Sequence, residues 1–277
     1  MDNKDKIVRP GLCNIKRRAR TEAQLDSQSE DDWVIKEQAI ALVFNEISHA
    51  VMMATPCDLF DFAIGFSLSE GIISQAKDIL AHEIVHTEQG IEVQLNISSR
   101  QFSALKHKRR SLLGNSGCGL CGVESLAQTV KVRAKLGPTP ELNFHVVSQA
   151  VNAFKERQQL NELTGSVHAA AFCALDSGEI LCIREDVGRH NALDKLLGAL
   201  AQQPLCITKQ ARQPGFVLVS SRASYEMVDK TIAAGINHLV SISAATSKAI
   251  DWAQQHQLNL IGFARSTRHL LYTKPQN

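Results

Sequence analysis

Apolar positions change period several times between residues 36 and 113. Ile40–Phe44 (IALVF) and His49–Ala54 (HAVMMA) are short β-type runs on either side of Asn45-Glu46, which predicts a hairpin. Pro56 then precedes Leu59, Phe62, Ala63 and Phe66 at i, i+3, i+4 and i+7. That is the spacing of one helix face, with Asp58 placed to start the helix. Ile91, Val93, Leu95 and Ile97 alternate strictly, as a half-buried strand does, and residues 101–112 read as a basic helix. The stretch 114–122, GNSGCGLCG, breaks the pattern with four glycines and is expected to be a mobile loop. Residues 123–135 and 146–160 read as helices separated by GPTPE.

The second half alternates strand and helix. AAAFCAL and EILCI flank Asp176-Ser177-Gly178 as a predicted hairpin, and Leu193, Leu196, Leu197 and Leu200 form a helical stripe. FVLVS, HLVSI and NLIGF are short apolar strands. They are separated by helices at Tyr225, Val228 and Ile232 and around Ala249–Ala253. Such strands predict a sheet, at least partly parallel, covered on both faces. The fold class is therefore α/β. Residues 1–35, with Lys16, Arg17, Arg18 and Arg20 followed by SQSEDD, read as a flexible basic and polar tail.

Composition narrows the function more than the fold. Hydrophobic residues at 44% and charged residues at 21% are ordinary for a soluble globular chain. A net charge of +2 is too small to argue for nucleic acid, and none is expected as a partner. No apolar run reaches the ~18 residues of a membrane span, and the first residues lack the apolar core of a secretion signal. A reducing, cytoplasmic location is expected. Of seven cysteines only Cys118 and Cys121 form a close pair, which there reads as metal, redox or sulfur chemistry.

The pair is the sharpest chemical signal. A thiolate is a nucleophile and an acceptor of transferred sulfur, and a helix beginning near Val123 would favour it at Cys121. The bland alternative is a pair of unreactive loop thiols. A zinc deaminase-like hydrolase is a further alternative, because His86-Thr87-Glu88 and Cys118-x-x-Cys121 imitate that signature. Against it, an alternating strand follows the His-x-Glu, Gly117 replaces the usual proline, and no second C-x-x-C exists, so no metal is expected. Three segments lie at strand–helix junctions or strand ends. Ser220-Ser221-Arg222 suits an anion or phosphate, or simple capping. Phe263-Ala264-Arg265-Ser266-Thr267-Arg268 suits a phosphate-rich ligand, or a solvated tail. Glu185–Asn191 reads equally as a cap or a site, and His168 as a core histidine or a site residue.

FSLSEGII (66–73), GCGLCGVE (117–124), HAAAF (168–172), REDVGRHNALDK (184–195), SSRASYEMV (220–228) and the last strand with its arginines resemble the FdhD family. These are accessory factors of formate dehydrogenase, and the resemblance runs over about residues 36–273. It implies a cytidine deaminase-like αβα main domain over 123–277, without catalytic zinc, behind a smaller N-terminal α+β subdomain over 36–113. It implies a sulfurtransferase-type carrier with a persulfide on Cys118, supported by Cys121. The donor would be a cysteine desulfurase. The acceptor would be the molybdenum bis(molybdopterin guanine dinucleotide) of apo formate dehydrogenase, held through Phe263, Ala264, Arg265, Ser266, Thr267 and Arg268. A homodimer is expected on the same ground. A chaperone that carries the molybdenum cofactor without sulfur chemistry is the alternative.

Overall fold

A computed structural model describes residues 11–21, 24–113, 132–202 and 214–273. The 114–122 loop, with Cys118 and Cys121, lies outside them, as does most of the helix expected over 123–135.

The chain opens with β1 (Leu12–Thr21) and β2 (Gln24–Ile35), an antiparallel hairpin, where an irregular tail was expected. Its ladder sets Lys16 opposite Asp31, and Lys36 N–H closes its base on Gly11 O at 2.7 Å. Opposite charges directly across a strand pair are favourable. They support pairing with no apolar alternation to reveal it.

A four-stranded sheet follows, in the order β4-β3-β6-β5. Its strands are β3 (Gln38–Phe44), β4 (Ile47–Ala54), β5 (Ile79–His86) and β6 (Ile91–Ile97). Asn45 and Glu46 both have positive φ, at 45° and 68°, as a two-residue hairpin turn requires. The Asn45 side chain also clasps both backbone groups of Ile97. Ile40, Leu42, Phe44, Val93 and Leu95 pack against α1 (Leu59–Ser69) and α2 (Ser99–Leu113). Asp58 occupies the expected start of α1 in a left-handed conformation. Its side chain does not cap the helix and lies 3.8 Å from Arg184 instead.

The second sheet has six strands, in the order β12-β11-β10-β9-β7-β8. They are β7 (His168–Ala174), β8 (Ile180–Asp186), β9 (Gly215–Val219), β10 (His238–Ser241), β11 (Asn259–Gly262) and β12 (Leu270–Leu271). β9, β10 and β11 are mutually parallel, and β7 and β12 are antiparallel to their neighbours. The strand period of two divides the core. Ala170, Phe172, Val217, Val219, Leu239 and Leu260 face α5 (Arg189–Gln202), α6 (Tyr225–Ala233) and α7 (Ser247–Gln255). Ala169, Ala171, Phe216, Leu218, Val240 and Ile261 face α3 (Phe144–Glu156). The helix expected over 146–160 ends at Glu156 and restarts as α4 (Gln159–Thr164), whose Leu160 and Asn161 N–H groups are received by the Glu185 carboxylate. Residues 132–135, expected to end a helix, are irregular. There the Arg133 guanidinium reaches Asp229 at 2.8 Å and Ser69 O at 2.7 Å.

The two sheets are joined through α1 and α5. These helices cross with Gly65 against the backbone of Asp194 and Gly198 against the backbone of Asp61. Beside the crossing runs a buried polar network. Lys195 Nζ lies 2.7 Å from Asp186 Oδ2, with both side chains 0% exposed, and donates to Thr55 O at 2.9 Å. Thr55 N–H returns to Asp186 at 3.0 Å, and Lys230 bridges Asp194 and Ser69.

Candidate functional site

Because β9, β10 and β11 are parallel, their carboxyl ends share one edge of the sheet. β8 runs the same way and ends at Asp186, and β7 begins there at His168. The amino-terminal ends of α5, α6 and α7 meet the same edge, with the partial positive charge of helix starts. Ligands of open α/β sheets bind at such edges.

Both phosphate segments expected from the sequence lie here and are stitched together. Ser241 Oγ donates to Ser221 O at 2.6 Å, and Ala264 N–H donates to Ser241 O at 3.0 Å. Within the first segment Ser221 is buried and its hydroxyl donates to Arg222 O, whereas Arg222 is exposed. Ser220 Oγ accepts Ala169 N–H at 2.9 Å and lies 3.4 Å from His168 Nδ1.

The second segment is shaped by strain. Phe263 has φ +50°, a conformation that costs a bulky residue of order 1–3 kcal/mol. Its N–H is held by Ser243 O at 2.9 Å and the next residue, Ala264, is fully buried, so the ring is turned out, 43% exposed. Ala264 can therefore offer a ligand no side chain, and the N–H groups of Phe263, Ala264 and Arg265 are all bonded within the protein. Any grip on phosphate here comes from side chains. Arg265, Thr267 and Arg268 are exposed, and Arg265 Nη1 also donates to Ile242 O and Ala264 O. Ser148 Oγ fixes Ser266 O at 2.6 Å, and Phe144 stacks on His269 with centroids 5.1 Å apart, so α3 backs the segment.

The structure adds a cluster that the sequence left undecided. Asp186 Oδ1 accepts Gly188 N–H at 2.8 Å and Asn191 Nδ2 at 3.0 Å, which shapes the turn that carries Arg189 and His190. His190 Nε2 pairs with Glu226 Oε2 at 2.7 Å, across from α5 to α6. His168 stands on the adjoining strand. The available signal was an Arg-His dipeptide at a strand–helix junction. Glu226 lies on another element and could not be matched to it from spacing.

Two other features lie apart. His86-Thr87-Glu88 forms the turn between β5 and β6, with Thr87 N–H on Gly90 O, and starts no helix. A cavity of about 500 Å³ lined by Leu68, Ile73, Leu197, Leu200, Ala233 and Ile236 sits at the far ends of α5 and α6 and is mostly apolar.

The fold and this edge define an α/β protein with arginines, hydroxyls, imidazoles and an outturned aromatic ring at the ends of its parallel strands. Comparison with known proteins places it more closely. The sequence model of the FdhD/NarQ family matches residues 35–277, and the chain belongs to that family. It is 50% identical over 245 residues to the sulfur carrier protein FdhD of Cupriavidus necator, an alignment covering 88% of this chain and 83% of that one. It is 44% identical over 275 residues to the sulfur carrier protein FdhD of Variovorax paradoxus, covering 99% and 96%. Its fold is similar to a crystal structure from Desulfotalea psychrophila described as a formate dehydrogenase accessory protein. The TM-score is 0.68 at 21% identity, with 96% and 98% of the two chains covered.

Proposed function

We propose that this chain is a cytoplasmic sulfur carrier required for formate dehydrogenase activity. In this reading a persulfide forms on Cys118, with Cys121 in support. Its sulfur passes from a cysteine desulfurase to the molybdenum of the bis(molybdopterin guanine dinucleotide) destined for apo formate dehydrogenase. The observation that carries the reading is family membership together with two sulfur carrier proteins related at 50% and 44% identity. The geometry is compatible with it. The segment bearing both cysteines follows α2 and returns at Arg133, whose guanidinium is anchored on Asp229 of α6 and Ser69 of α1. α6 also supplies Glu226 to the edge where β9, β10 and β11 end, so one helix adjoins both the return of that segment and the arginine-lined edge. The strand order β8-β7-β9-β10-β11, with helices on both faces, supports a cytidine deaminase-like main domain. A homodimer completes the reading.

Cys118→Ala is expected to reduce formate dehydrogenase activity in cells to background. On the purified wild type, incubation with a cysteine desulfurase and cysteine should add about 32 Da, one sulfur on a thiol. Normal dehydrogenase activity with Cys118→Ala as the sole copy would favour a chaperone that carries the cofactor without sulfur chemistry.

The arginines make a second, independent check. Charge-assisted contacts to phosphate contribute about 1.5–3 kcal/mol each. Arg265→Ala with Arg268→Ala is therefore expected to weaken guanosine diphosphate binding at least about tenfold by calorimetry. Unchanged affinity would move the phosphate contact to Ser220 and Arg222.

A further inference from the structure

Two imidazoles stand at this edge. His190 lies in the first turn of α5 with its side chain 31% exposed, and His168 opens β7 half-buried. Each ring has a polar neighbour. His190 Nε2 lies 2.7 Å from a Glu226 oxygen. Ser220 Oγ accepts Ala169 N–H and lies 3.4 Å from His168 Nδ1. His190 has the Glu226 carboxylate beside it to stabilise an added charge, the arrangement that makes an imidazole a good proton acceptor.

The surrounding charges decide its state. His190 faces Glu226 and Lys230 from α6, Arg189 from its own helix and His168 from β7. His168 faces Arg189 and Asp186. Lys230 is neutralised by Asp194, and Asp186 by Lys195. Burial holds both imidazoles below the usual histidine value, with Arg189 adding to it, and for His190 the Glu226 carboxylate works in the opposite direction. Without a ligand both rings are therefore neutral at neutral pH.

We propose that His190 takes up one proton when a phosphate-bearing anion occupies this edge, so that ligand and proton bind together. The step forms one N–H bond at the expense of solvent and involves no redox change. The inference rests on the edge being the anion site, as the preceding reading has it. The anion offsets the positive charge of Arg189, and the Glu226 carboxylate, 2.7 Å from Nε2, offsets that of the resulting imidazolium. An ordinary cationic site of arginines alone would bind the same anion with no proton exchanged.

The sign follows from linkage. An anion raises the His190 value in the complex above that of the free protein. The extra affinity is then fully present below the free value, itself under 6.5, and is lost as pH rises through the bound value. The limiting slope for one group is about tenfold per pH unit.

The test is calorimetric titration of the full chain with guanosine diphosphate, near pH 6.5, in two buffers of different ionisation enthalpy. Wild type is expected to take up a substantial fraction of one proton, and its affinity to fall roughly three- to tenfold between about pH 6 and about pH 8. The terminal phosphate of the probe titrates in the same range, so His190→Gln supplies the reference. Its amide keeps a donor toward Glu226 but cannot take a proton. This variant should lose the uptake and bind more weakly than wild type near pH 6, with the two converging near pH 8. His168→Gln should retain the uptake. Binding by wild type with no more proton uptake than His190→Gln would overturn the inference while leaving the anion site intact. Loss of uptake in His168→Gln alone would place the proton on the wrong ring. No binding of the diphosphate at any pH would remove the anion site and this proposal with it. Should His190→Gln fail to fold, the wild-type proton count decides alone, and zero uptake sinks the idea.

Discussion

Lys195→Met is expected to destabilise the protein by about 3–5 kcal/mol, read as a shift in the urea unfolding midpoint. Methionine nearly conserves the volume, so the cavity contribution is small. What remains is a carboxylate stripped of its cation. Lys195 and Asp186 are both 0% exposed and 2.7 Å apart. Removing one partner of a buried pair strands the other, which costs far more than the pair contributes while intact. Asp186 keeps three donors, from Thr55 N–H, Gly188 N–H and Asn191 Nδ2, and these soften the loss without cancelling it. Asp186→Leu should cost a similar amount because it strands the ammonium. The double variant should cost clearly less than the sum, since no charge is then left behind. Strict additivity, or a loss below about 1 kcal/mol for Lys195→Met, would show that the pair is solvated or replaceable. The effect should reach function as well. Asp186 shapes the turn that presents Arg189 and His190, and Thr55 and Asn191 tie the end of β4 to that turn. Anion affinity should therefore drop with stability even under conditions where the variant is fully folded.

That coupling explains what the sequence could and could not convey. Elements with one buried face were legible because burial imposes a period. β6 reads buried at Ile91, Val93, Leu95 and Ile97 with half-buried or exposed residues between, and the leucines of α5 fall on one stripe. β9, β10 and β11, buried on both faces, read as short apolar runs, and the arginines after β11 could be placed at a strand end from order alone. β1 and β2 were missed because their sequences carry no apolar alternation. β5 was missed because a bulge between Ile79 and Ala81 shifts its alternation and the strand is largely exposed. The site was half legible for a related reason. Arg265 and Arg268 announce themselves by charge. The outward turn of Phe263 depends on a positive φ fixed by Ser243, and the His190–Glu226 pair joins two helices. Neither leaves a local signature. The order HAAAF, REDVGRHNALDK, SSRASYEMV and a last strand with its arginines conveyed the family before any of these contacts could be named.

Gly198→Ala is expected to destabilise by about 3 kcal/mol or more, although the same change in an exposed helix stabilises by up to about 1 kcal/mol. The sign is set by the helix crossing. An added Cβ at Gly198 would fall on the Asp61 carbonyl of α1, and one at Gly65 would fall on the Asp194 carbonyl of α5. Both obstacles are backbone, so neither can swing aside as a side chain could. The helices must separate, and the contacts beside the crossing separate with them: Arg184 with Asp61 at 2.7 Å and Ser69 with Asp194 at 3.0 Å. Gly65→Ala should cost a similar amount for the same reason. The two changes should not add. Once one methyl has forced the helices apart, the second finds room already made, so the double variant should approach the worse single variant. Urea unfolding of the three variants reads the whole pattern. If Gly198→Ala were neutral or stabilising, the two helices would not be in backbone contact in solution. The joint between the four-stranded and six-stranded sheets would then rest on the polar contacts of Met53, Thr55, Asp61 and Ser69 with Asn191, Asp186, Arg184 and Asp194.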